Sequence, residues 1–320
     1  MTVLVTGGAG FIGSHIVDWL VGKKEHVVVV DNLSSGSLAN IERHVRDGKV
    51  VFVKGDLKDP ELCLRVLRDH RPDIVIHLAA NPEVRVSVTE PRIHFQENVV
   101  ATFNLLEACR MCDSVSKLVF ASSSTVYGDA KVLPTPEDHE LRPISVYGAC
   151  KASCELLLHA YSQLYGIRGV VLRYANIIGP RARHGVIYDF IMKLKKDPTR
   201  LEILGDGTQK KSYLYVDDAI SATMIVAFNE NSRYEVYNIG NEDWITVREI
   251  ADIVCEVLDV KPTYIFVPGT PDGRGWLGDV KFMLLSIEKL KRKFSWRPRY
   301  TSREAIRLTA EALKRELWHR

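Results

Sequence analysis

The stretch ASSSTVYGD, residues 121–129, places five hydroxyl-bearing side chains at the end of an apolar run. It contains no acid before Asp129, and a second tyrosine, Tyr147, follows in SVYGACK, four residues ahead of Lys151. On a helix, side chains four residues apart lie on one face, one turn from each other. The positive charge of Lys151 could therefore favour ionisation of the Tyr147 hydroxyl. The alternative is a core tyrosine bonded to a backbone carbonyl, with Lys151 solvated.

The elements that would position these residues alternate between two hydrophobic periods. Short β-branched runs predict buried strands, and the segments between them have helical patterns, clearest over residues 98–110 and 149–166. Strands that alternate with helices form βαβ units, so the sequence predicts an α/β fold with a doubly wound parallel sheet. The predicted strands cover residues 3–6, 27–31, 50–56, 73–79, 117–122 and 169–174.

Three glycines, Gly7, Gly10 and Gly13, follow the first predicted strand at a GxxGxxG spacing and open a helix. A tight turn, a close approach of backbone to pyrophosphate and tight helix-on-strand packing each exclude a Cβ, and the helix N-terminus attracts phosphate. Asp31 ends the second strand, where an acid binds the adenosine ribose and repels a 2′-phosphate. The sequence thus predicts a Rossmann site for NAD rather than NADP, with an ordinary βα turn as the alternative. Asp56, at the end of the third strand, could reach the adenine amine.

With NAD beside it, Tyr147 acquires a catalytic interpretation. Ionising a free tyrosine at neutral pH costs about 4 kcal/mol, and one nearby cation lowers a pKa by about 1 to 3 units. Lys151 would supply part of this effect and the positive nicotinamide of NAD⁺ the remainder. We therefore expect Tyr147 to act as a general base toward a secondary alcohol.

Beyond Gly179 the pattern changes to many Gly and Pro residues, a helix near 187–196 and short strands at 201–204 and 263–267. Residues 213–228 again resemble a strand and helix of the large sheet. We predict an NAD-binding Rossmann domain over residues 1–178, to which 212–240 return, and a smaller α/β substrate-binding lobe over 179–320.

Composition excludes several other classes of protein. The chain is 46% hydrophobic and 26% charged with a net charge of +3, and no block of Lys and Arg indicates contact with nucleic acid or a membrane surface. The six cysteines fall mostly in apolar segments, so we predict neither disulfides nor a zinc site at CRMC. The histidines His77, His94 and His184 are too scattered to predict a metal site. The first strand begins at Val3 and leaves no room for a signal peptide, so we expect a reduced, cytoplasmic protein.

Three segments, TGGAGFIG (6–13), SSSTVYG (122–128) and YGACK (147–151), resemble those of extended short-chain dehydrogenase/reductases, specifically the NAD-dependent sugar-nucleotide epimerases. Further segments match that family in order, so the resemblance covers essentially the whole chain: RYANIIGPR (173–181), GDGTQKKSYLYVDDA (205–219), GDV (278–280) and SWRP (295–298). The likeness is greatest to UDP-glucose 4-epimerases, particularly the short archaeal type.

The resemblance suggests why residues 121–128 include no carboxylate. It implies that Ser123, four residues before Tyr127, hydrogen-bonds O4 of the sugar. Relatives that eliminate water or carbon dioxide carry acids at the next two positions, where this sequence has Ser124 and Thr125. Epimerisation is therefore favoured over dehydration or decarboxylation. In the implied cycle Tyr147 takes the C4-OH proton as hydride leaves the sugar, both return on the other face, and NAD is a bound catalyst that is not consumed.

The family's site residues, carried over to this sequence, form three sets. The catalytic set is Ser123, Tyr147 and Lys151. The NAD-binding set is Gly7, Gly10, Phe11, Ile12, Gly13, Asp31, Asn32, Asp56, Leu57, Leu78, Ala79, Ala80, Asn98, Tyr147, Lys151 and Tyr174. The substrate-binding set is Ser123, Tyr147, Asn176, Arg181, Lys211, Arg274 and Asp279.

Two departures from the family pattern leave the nucleoside diphosphate open. Lys211 stands where the family usually has Arg, which keeps the charge but loses the bidentate fork. Trp276 stands where an Arg usually precedes GDV, and Arg274 could serve instead if the loop is rearranged. The first hypothesis is interconversion of UDP-glucose and UDP-galactose. The alternatives are the N-acetylated sugars, since Met283 occupies the family's size-limiting position, and a non-catalytic NAD-binding sensor. The family also implies a homodimer through paired helices. From the charge pattern and the scattered histidines we predict no metal, nucleic-acid or membrane partner.

Overall fold

A computed structural model of the chain describes residues 1–318. Its strands are β1 (Thr2–Thr6), β2 (His26–Asp31), β3 (Val50–Lys54), β4 (Ile74–His77), β5 (Lys117–Ser123), β6 (Arg168–Tyr174), β7 (Asn176–Ile178), β8 (Arg200–Leu204), β9 (Lys210–Lys211), β10 (Tyr213–Tyr215), β11 (Tyr234–Ile239), β12 (Ile245–Thr246), β13 (Thr263–Val267) and β14 (Phe282–Met283). Its α-helices are α1 (Phe11–Gly22), α2 (Glu42–Arg46), α3 (Pro60–His70), α4 (Val86–Thr89), α5 (Pro91–His94), α6 (Ala101–Met111), α7 (Val146–Tyr165), α8 (Val186–Lys196), α9 (Val216–Asn229), α10 (Val247–Leu258), α11 (Glu288–Phe294) and α12 (Ser302–Leu313). Two π-helical segments cover Phe95–Val100 and Lys314–Trp318, and two 3₁₀ turns cover Leu38–Asn40 and Ser124–Tyr127.

The large sheet has seven strands in the order β11-β6-β5-β4-β1-β2-β3. The pairs β1–β2, β2–β3, β1–β4 and β4–β5 are parallel. Helices connect each of these strands to the next strand along the chain. The predicted α/β fold class is confirmed. The strand order reverses between β1 and β4, and in such sheets ligands bind beyond the carboxyl ends of the strands at this reversal.

The prediction that residues 213–228 return to the large sheet as a strand and helix is wrong for the strand. Strand β10 pairs in parallel with β7 in a separate two-stranded sheet, and β11 is the strand that joins the large sheet. A short aromatic run such as YLY fits any pleated surface, so its sequence does not specify its partner. The predicted strands at 201–204 and 263–267 lie in β8 and β13, which pair with each other.

The chain divides into two compact units by its internal contacts. Unit 1 comprises Met1–Val126, Val146–Arg173 and Ile220–Tyr237, and unit 2 comprises Tyr127–Ser145, Tyr174–Ala219 and Asn238–Arg320. The division differs from the predicted boundary at residue 178, because the loop after β5 and the chain after β6 belong to unit 2, and the returning segment is 220–237.

Each unit has its own apolar core. In unit 1 helices α3, α6 and α7 cover the large sheet around Leu4, Val75 and Leu118. In unit 2 the core forms around Ile191, Leu201 and Ile250, under helices α8, α10 and α12. Capping boxes at Thr246 and Thr301 start α10 and α12. Within residues 1–318, no helix combines the length and apolar character that crossing a membrane requires.

Candidate active site

The glycine turn of unit 1 leaves no space for side chains at two of its positions. Gly7 has φ +68°, and a Cβ on it would lie 2.8 Å from the backbone nitrogen of Ala79. A Cβ on Gly13 would lie 2.2 Å from the Gly7 carbonyl oxygen. Helix α1 follows with Gly10 at its N-cap and no capping side chain, so its first N–H groups point beyond the end of β1. This arrangement fits a pyrophosphate at the helix N-terminus.

The acids predicted for the adenosine end lie at the carboxyl ends of β2 and β3. Asp31 is buried, and its carboxylate accepts hydrogen bonds from the backbone N–H groups of Ala9 (3.0 Å) and Leu33 (2.8 Å). The Asn32 amide donates to Asp56 at 3.1 Å. Burial opposes ionisation of Asp56, but hydrogen bonds from the Lys58 backbone and from Asn32 outweigh it and lower the Asp56 pKa. The Asp56 carboxylate is thus favoured in its charged form, and the Asp31 carboxylate is held in place by two backbone donors.

Residues 78–81 follow β4 and are held from two sides. The backbone N–H of Ala79 donates to the Thr6 hydroxyl at 3.3 Å, and that of Asn81 donates to the Asn98 side chain at 2.8 Å. Leu78, Ala79 and Ala80 are half-buried, and Asn98 is buried in the π-helical segment before α6. The predicted helix over 98–110 therefore begins with a widened turn, which sequence periodicity does not reveal.

The hydroxyls at the end of β5 form an ordered set. Thr125 donates to Ser123 Oγ from its backbone N–H (3.2 Å) and from its own hydroxyl (3.0 Å). Ser123 Oγ therefore accepts twice and keeps its proton to donate. Burial raises the pKa of Tyr147 to about 12, while a hydrogen bond with Ser123 opposes this shift. The structure thus places the hydroxyls of Ser123 and Tyr147 together at one edge of the sheet.

Lys151 lies one turn beyond Tyr147 on α7, as the spacing predicts. Its ammonium group is buried, donates to the Ala121 carbonyl at 2.7 Å, and lies 5.9 Å from the centre of the Tyr147 ring. Burial lowers the Lys151 pKa to about 8, and the nearby Cys154 and Glu155 oppose the shift. Burial is the largest influence on the Tyr147 phenol, and the expectation that Lys151 and the nicotinamide of NAD⁺ together lower its pKa stays a prediction.

A buried ion pair that involves α7 was not predicted from the sequence. Glu155, one turn after Lys151, binds Arg173 of β6 through bidentate contacts, the shortest 2.6 Å, and accepts a short hydrogen bond from the Ser122 hydroxyl. Both charged side chains are at most 5% exposed. A glutamate at i+4 from Lys151, within an apolar helix, was the available signal. The ion pair thus connects α7 to β6, and the hydrogen bond from Ser122 connects it to β5, the strand that carries Ser122 and Ser123.

In unit 2, three of the predicted substrate residues form one cluster. Lys211 pairs with the buried carboxylate of Asp279 at 2.6 Å, and Arg274 donates to the Asp279 carbonyl at 2.7 Å. Arg274 also pairs with Asp272 (2.6 Å) and Asp129 (2.9 Å). The pairing with Asp129, the acid that closes the hydroxyl-rich stretch, was not predicted. These contacts, above all the hydrogen bonds from Arg274 to Asp129 and Asp272, hold the pKa of Arg274 above its ordinary range.

The remaining predicted residues of unit 2 lie in other contacts. Asn176, the first residue of β7, donates its amide to the Ser212 carbonyl at 3.0 Å. The backbone N–H of Arg181 donates to Glu316 at 3.3 Å, and Arg181 has φ +68°. Tyr174 is the buried last residue of β6. No group of three or more His, Cys, Asp or Glu within the described residues could hold a metal ion.

Comparison with known proteins agrees with this geometry. Residues 3–240 match the NAD dependent epimerase/dehydratase family. The UDP-glucose 4-epimerase of Mycolicibacterium smegmatis is 33% identical over 316 residues, covering 97% of this chain and 98% of the relative. A crystal structure of a UDP-galactose 4-epimerase is 50% identical with a TM-score of 0.89, covering 99% of this chain and 100% of that one. The Thermotoga maritima UDP-glucose 4-epimerase, solved with UDP-glucose, is 36% identical with a TM-score of 0.90 and the same coverage.

The chain belongs to the NAD dependent epimerase/dehydratase family, and its cofactor is NAD. The residues present fit that cofactor. The N-terminus of α1, which begins at the glycine turn and has no capping side chain, suits the pyrophosphate, and the buried carboxylate of Asp31 suits ribose hydroxyls.

Proposed function

We propose that this protein interconverts UDP-glucose and UDP-galactose by epimerisation at C4. The observation that carries the proposal is the set of Ser123, Tyr147 and Lys151 at the edge of the sheet in unit 1, with hydroxyls alone beside Ser123. The names and high coverage of the relatives support the choice of sugar nucleotide.

In this proposal Tyr147 is the general base and acid at the sugar C4 oxygen. Ser123 has one proton to donate, because Thr125 occupies its acceptor positions, and it would orient O4 or stabilise the Tyr147 oxygen. Lys151 places a positive charge on the same helix face. When bound, oxidised NAD supplies the redox chemistry and a further positive charge. That charge matters because burial holds the Tyr147 pKa near 12 in its absence.

The residues that follow Ser123 argue against elimination. Dehydration needs a group that moves a proton at C5 or C6, and a carboxylic acid is the usual one in this family. Ser124 and Thr125 carry hydroxyls, whose pKa values are far too high for that task at neutral pH. The Thr125 hydroxyl is also committed as a donor to Ser123. Epimerisation needs no such acid.

For the nucleotide we propose the unit 2 cluster. Asp279 would accept the ribose hydroxyls, and Lys211 and Arg274 would supply positive charge to the diphosphate. Lys211 and Asp279 are already paired at 2.6 Å, so their side chains are ordered before a ligand binds. A diphosphate must compete with Asp272 and Asp129 for Arg274.

The test is conversion of UDP-galactose and, separately, of UDP-N-acetylgalactosamine by the purified protein, without and then with added NAD. The 4-epimers are separated by chromatography. We expect conversion of UDP-galactose, with the higher rate for that sugar. If both sugars remain unchanged with NAD present, UDP-sugar epimerisation is contradicted, and other nucleoside diphosphates or a sensor role take its place.

The N-acetylated sugars are the second candidate, and Met283 is the reason. It is buried on β14 and lies opposite Lys211 of β9. Methionine is flexible and can repack around a larger substituent, so it does not enforce exclusion of an acetamido group. Comparable rates on the two sugars would favour this broader specificity.

The proposal includes a homodimer in the cytoplasm. Large apolar side chains are exposed on α7, where Leu156 is 65% and Leu164 70% exposed, and next to them on and before α6, at Phe103 and Phe95. Exposed apolar area of this kind marks a protein interface, and a second copy would cover it isologously. All six cysteines are free and buried, which is typical of a reducing compartment.

A further inference from the structure

His77, the last residue of β4, is a fully buried titratable side chain that the proposed mechanism does not use. Its Nδ1 lies 2.7 Å from the Thr6 hydroxyl, and its Nε2 lies 2.9 Å from the Thr102 hydroxyl. Thr6 and Thr102 are also buried. The imidazole therefore connects β1, immediately before Gly7, with α6.

The direction of every hydrogen bond in this chain of groups is fixed. The Thr102 hydroxyl donates to the Asn98 carbonyl at 2.5 Å, since a carbonyl only accepts. Its single proton is then used, so His77 Nε2 must donate to Thr102. Burial and the charge of Lys151 lower the His77 pKa to about 3, so the ring is neutral and Nδ1 carries no proton. Thr6 therefore donates to Nδ1, and its oxygen accepts from the Ala79 N–H.

Both ends of this chain of groups hold the same loop. Thr6 binds the backbone of Ala79, and Asn98, whose carbonyl receives Thr102, binds the backbone of Asn81 through its side chain. The Asn98 carbonyl also accepts from the Cys154 thiol of α7 at 3.4 Å. The loop lies against Gly7, where a Cβ would collide with it.

We propose that His77 is a positioning residue for the cofactor: as a neutral imidazole in a single tautomer, it locks residues 79–81 between β1 and the π-helical turn, so that the NAD site is formed before NAD binds. This inference rests on the placement of NAD against residues 78–80, not on the identity of the sugar. Loss of either hydroxyl partner would leave a buried polar group without its partner and let the loop move.

The structure supplies a matched pair of variants. Thr102 and Thr309 are both buried helix threonines that donate to the carbonyl four residues earlier, but Thr309 lies on α12 and binds Ala305. Thr102→Val should raise the Kd for NAD about ten-fold, measured by calorimetry, and speed hydrogen exchange at the Ala79 and Asn81 amides. Thr102→Ser keeps the hydroxyl and should restore both properties. Thr309→Val should lower Tm by about as much as Thr102→Val does, but it should leave NAD affinity unchanged.

Equal losses of Tm in the two valine variants, with NAD affinity and amide protection retained in both, would overturn the inference. If Thr102→Val does not fold, His77→Gln replaces it, since it can donate to Thr102 but leaves Thr6 without its acceptor. Unchanged NAD affinity in His77→Gln would likewise overturn it. Neither measurement contains a sugar, so failure here is distinguishable from failure of the proposed epimerisation.

Discussion

The ammonium group of Lys151 lies 5.9 Å from the centre of the Tyr147 ring but donates its hydrogen bond to the carbonyl of Ala121, at 2.7 Å. It is thus anchored to the backbone of β5 and is not hydrogen-bonded to Tyr147. Burial raises the Tyr147 pKa to about 12 and lowers the Lys151 pKa to about 8. Burial thus shifts both groups toward their neutral forms, and a positive charge that enters the site would favour ionisation of Tyr147 alone.

The buried charge of Lys151 predicts a pH dependence of stability. The folded pKa is about 8, and the unfolded pKa is ~10.4. Between these two pH values the unfolded chain binds more protons than the folded chain. The charged Lys151 therefore destabilises the fold by its full amount below pH ~8, and this destabilisation decreases as the pH rises. Relative to Lys151→Met, the free energy of unfolding of the parent protein should rise about 1.4 kcal/mol per pH unit from pH ~8 to ~10. Urea denaturation of the two proteins measures this, and parallel pH curves would refute it.

The glycine turn offers a control within its own helix. Gly13→Ala places a methyl group 2.2 Å from the Gly7 carbonyl oxygen, whereas a Cβ on Gly22, the last residue of α1, has nothing within 4 Å. Gly13→Ala should lose at least ~2 kcal/mol of stability and most NAD affinity, because the backbone must shift. Gly22→Ala should be neutral or slightly stabilising. Thermal unfolding with and without NAD measures both properties. Equal changes in stability and NAD affinity for the two substitutions would contradict the close packing of the turn.

The Glu155–Arg173 pair should be costly to break. Glu155→Gln leaves the buried guanidinium without its counter-charge, and we expect a loss of about 3–5 kcal/mol in the free energy of unfolding. The exposed pair Glu256–Arg307 on α10 and α12 is the control, and Glu256→Gln should leave the free energy of unfolding nearly unchanged, because solvent screens the pair. A loss below ~1 kcal/mol in Glu155→Gln would show that the buried pair does not hold α7 in place.

The exposed face of α7 predicts the oligomeric state. Light scattering after gel filtration should give about twice the chain mass of 36.1 kDa for the parent protein. Replacing both Leu156 and Leu164 by Glu should give a monomer, because buried unpaired carboxylates disfavour association. Leu277→Glu, at an equally exposed leucine of unit 2, should leave the dimer intact. A monomeric parent protein would contradict the predicted homodimer.

The features that sequence predicted were those encoded locally. The β-branched strands of the large sheet, the glycine turn and the Tyr147–Lys151 spacing each depend on periodicity or on residues a few positions apart. The features it missed depend on contacts between distant residues. Strand β10 was assigned to the wrong sheet because the sequence YLY does not specify that it pairs with β7. Arg173 and Glu155 are 18 residues apart, and Arg274 and Asp129 are 145 apart. His77 was read only as an isolated histidine, because its partners come from β1 and α6.

The central claim is that Tyr147 transfers the C4 proton in epimerisation, and the most direct test compares two tyrosines of α7. Tyr147→Phe and Tyr161→Phe each remove one phenolic hydroxyl; that of Tyr161 binds Glu107 on α6. With UDP-galactose and NAD, we expect Tyr147→Phe to lower kcat by about 10² to 10⁴ while NAD still binds, and Tyr161→Phe to keep kcat near that of the parent protein. If Tyr147→Phe converts UDP-galactose at the parent rate, Tyr147 is not the acid–base group and the proposed mechanism is wrong.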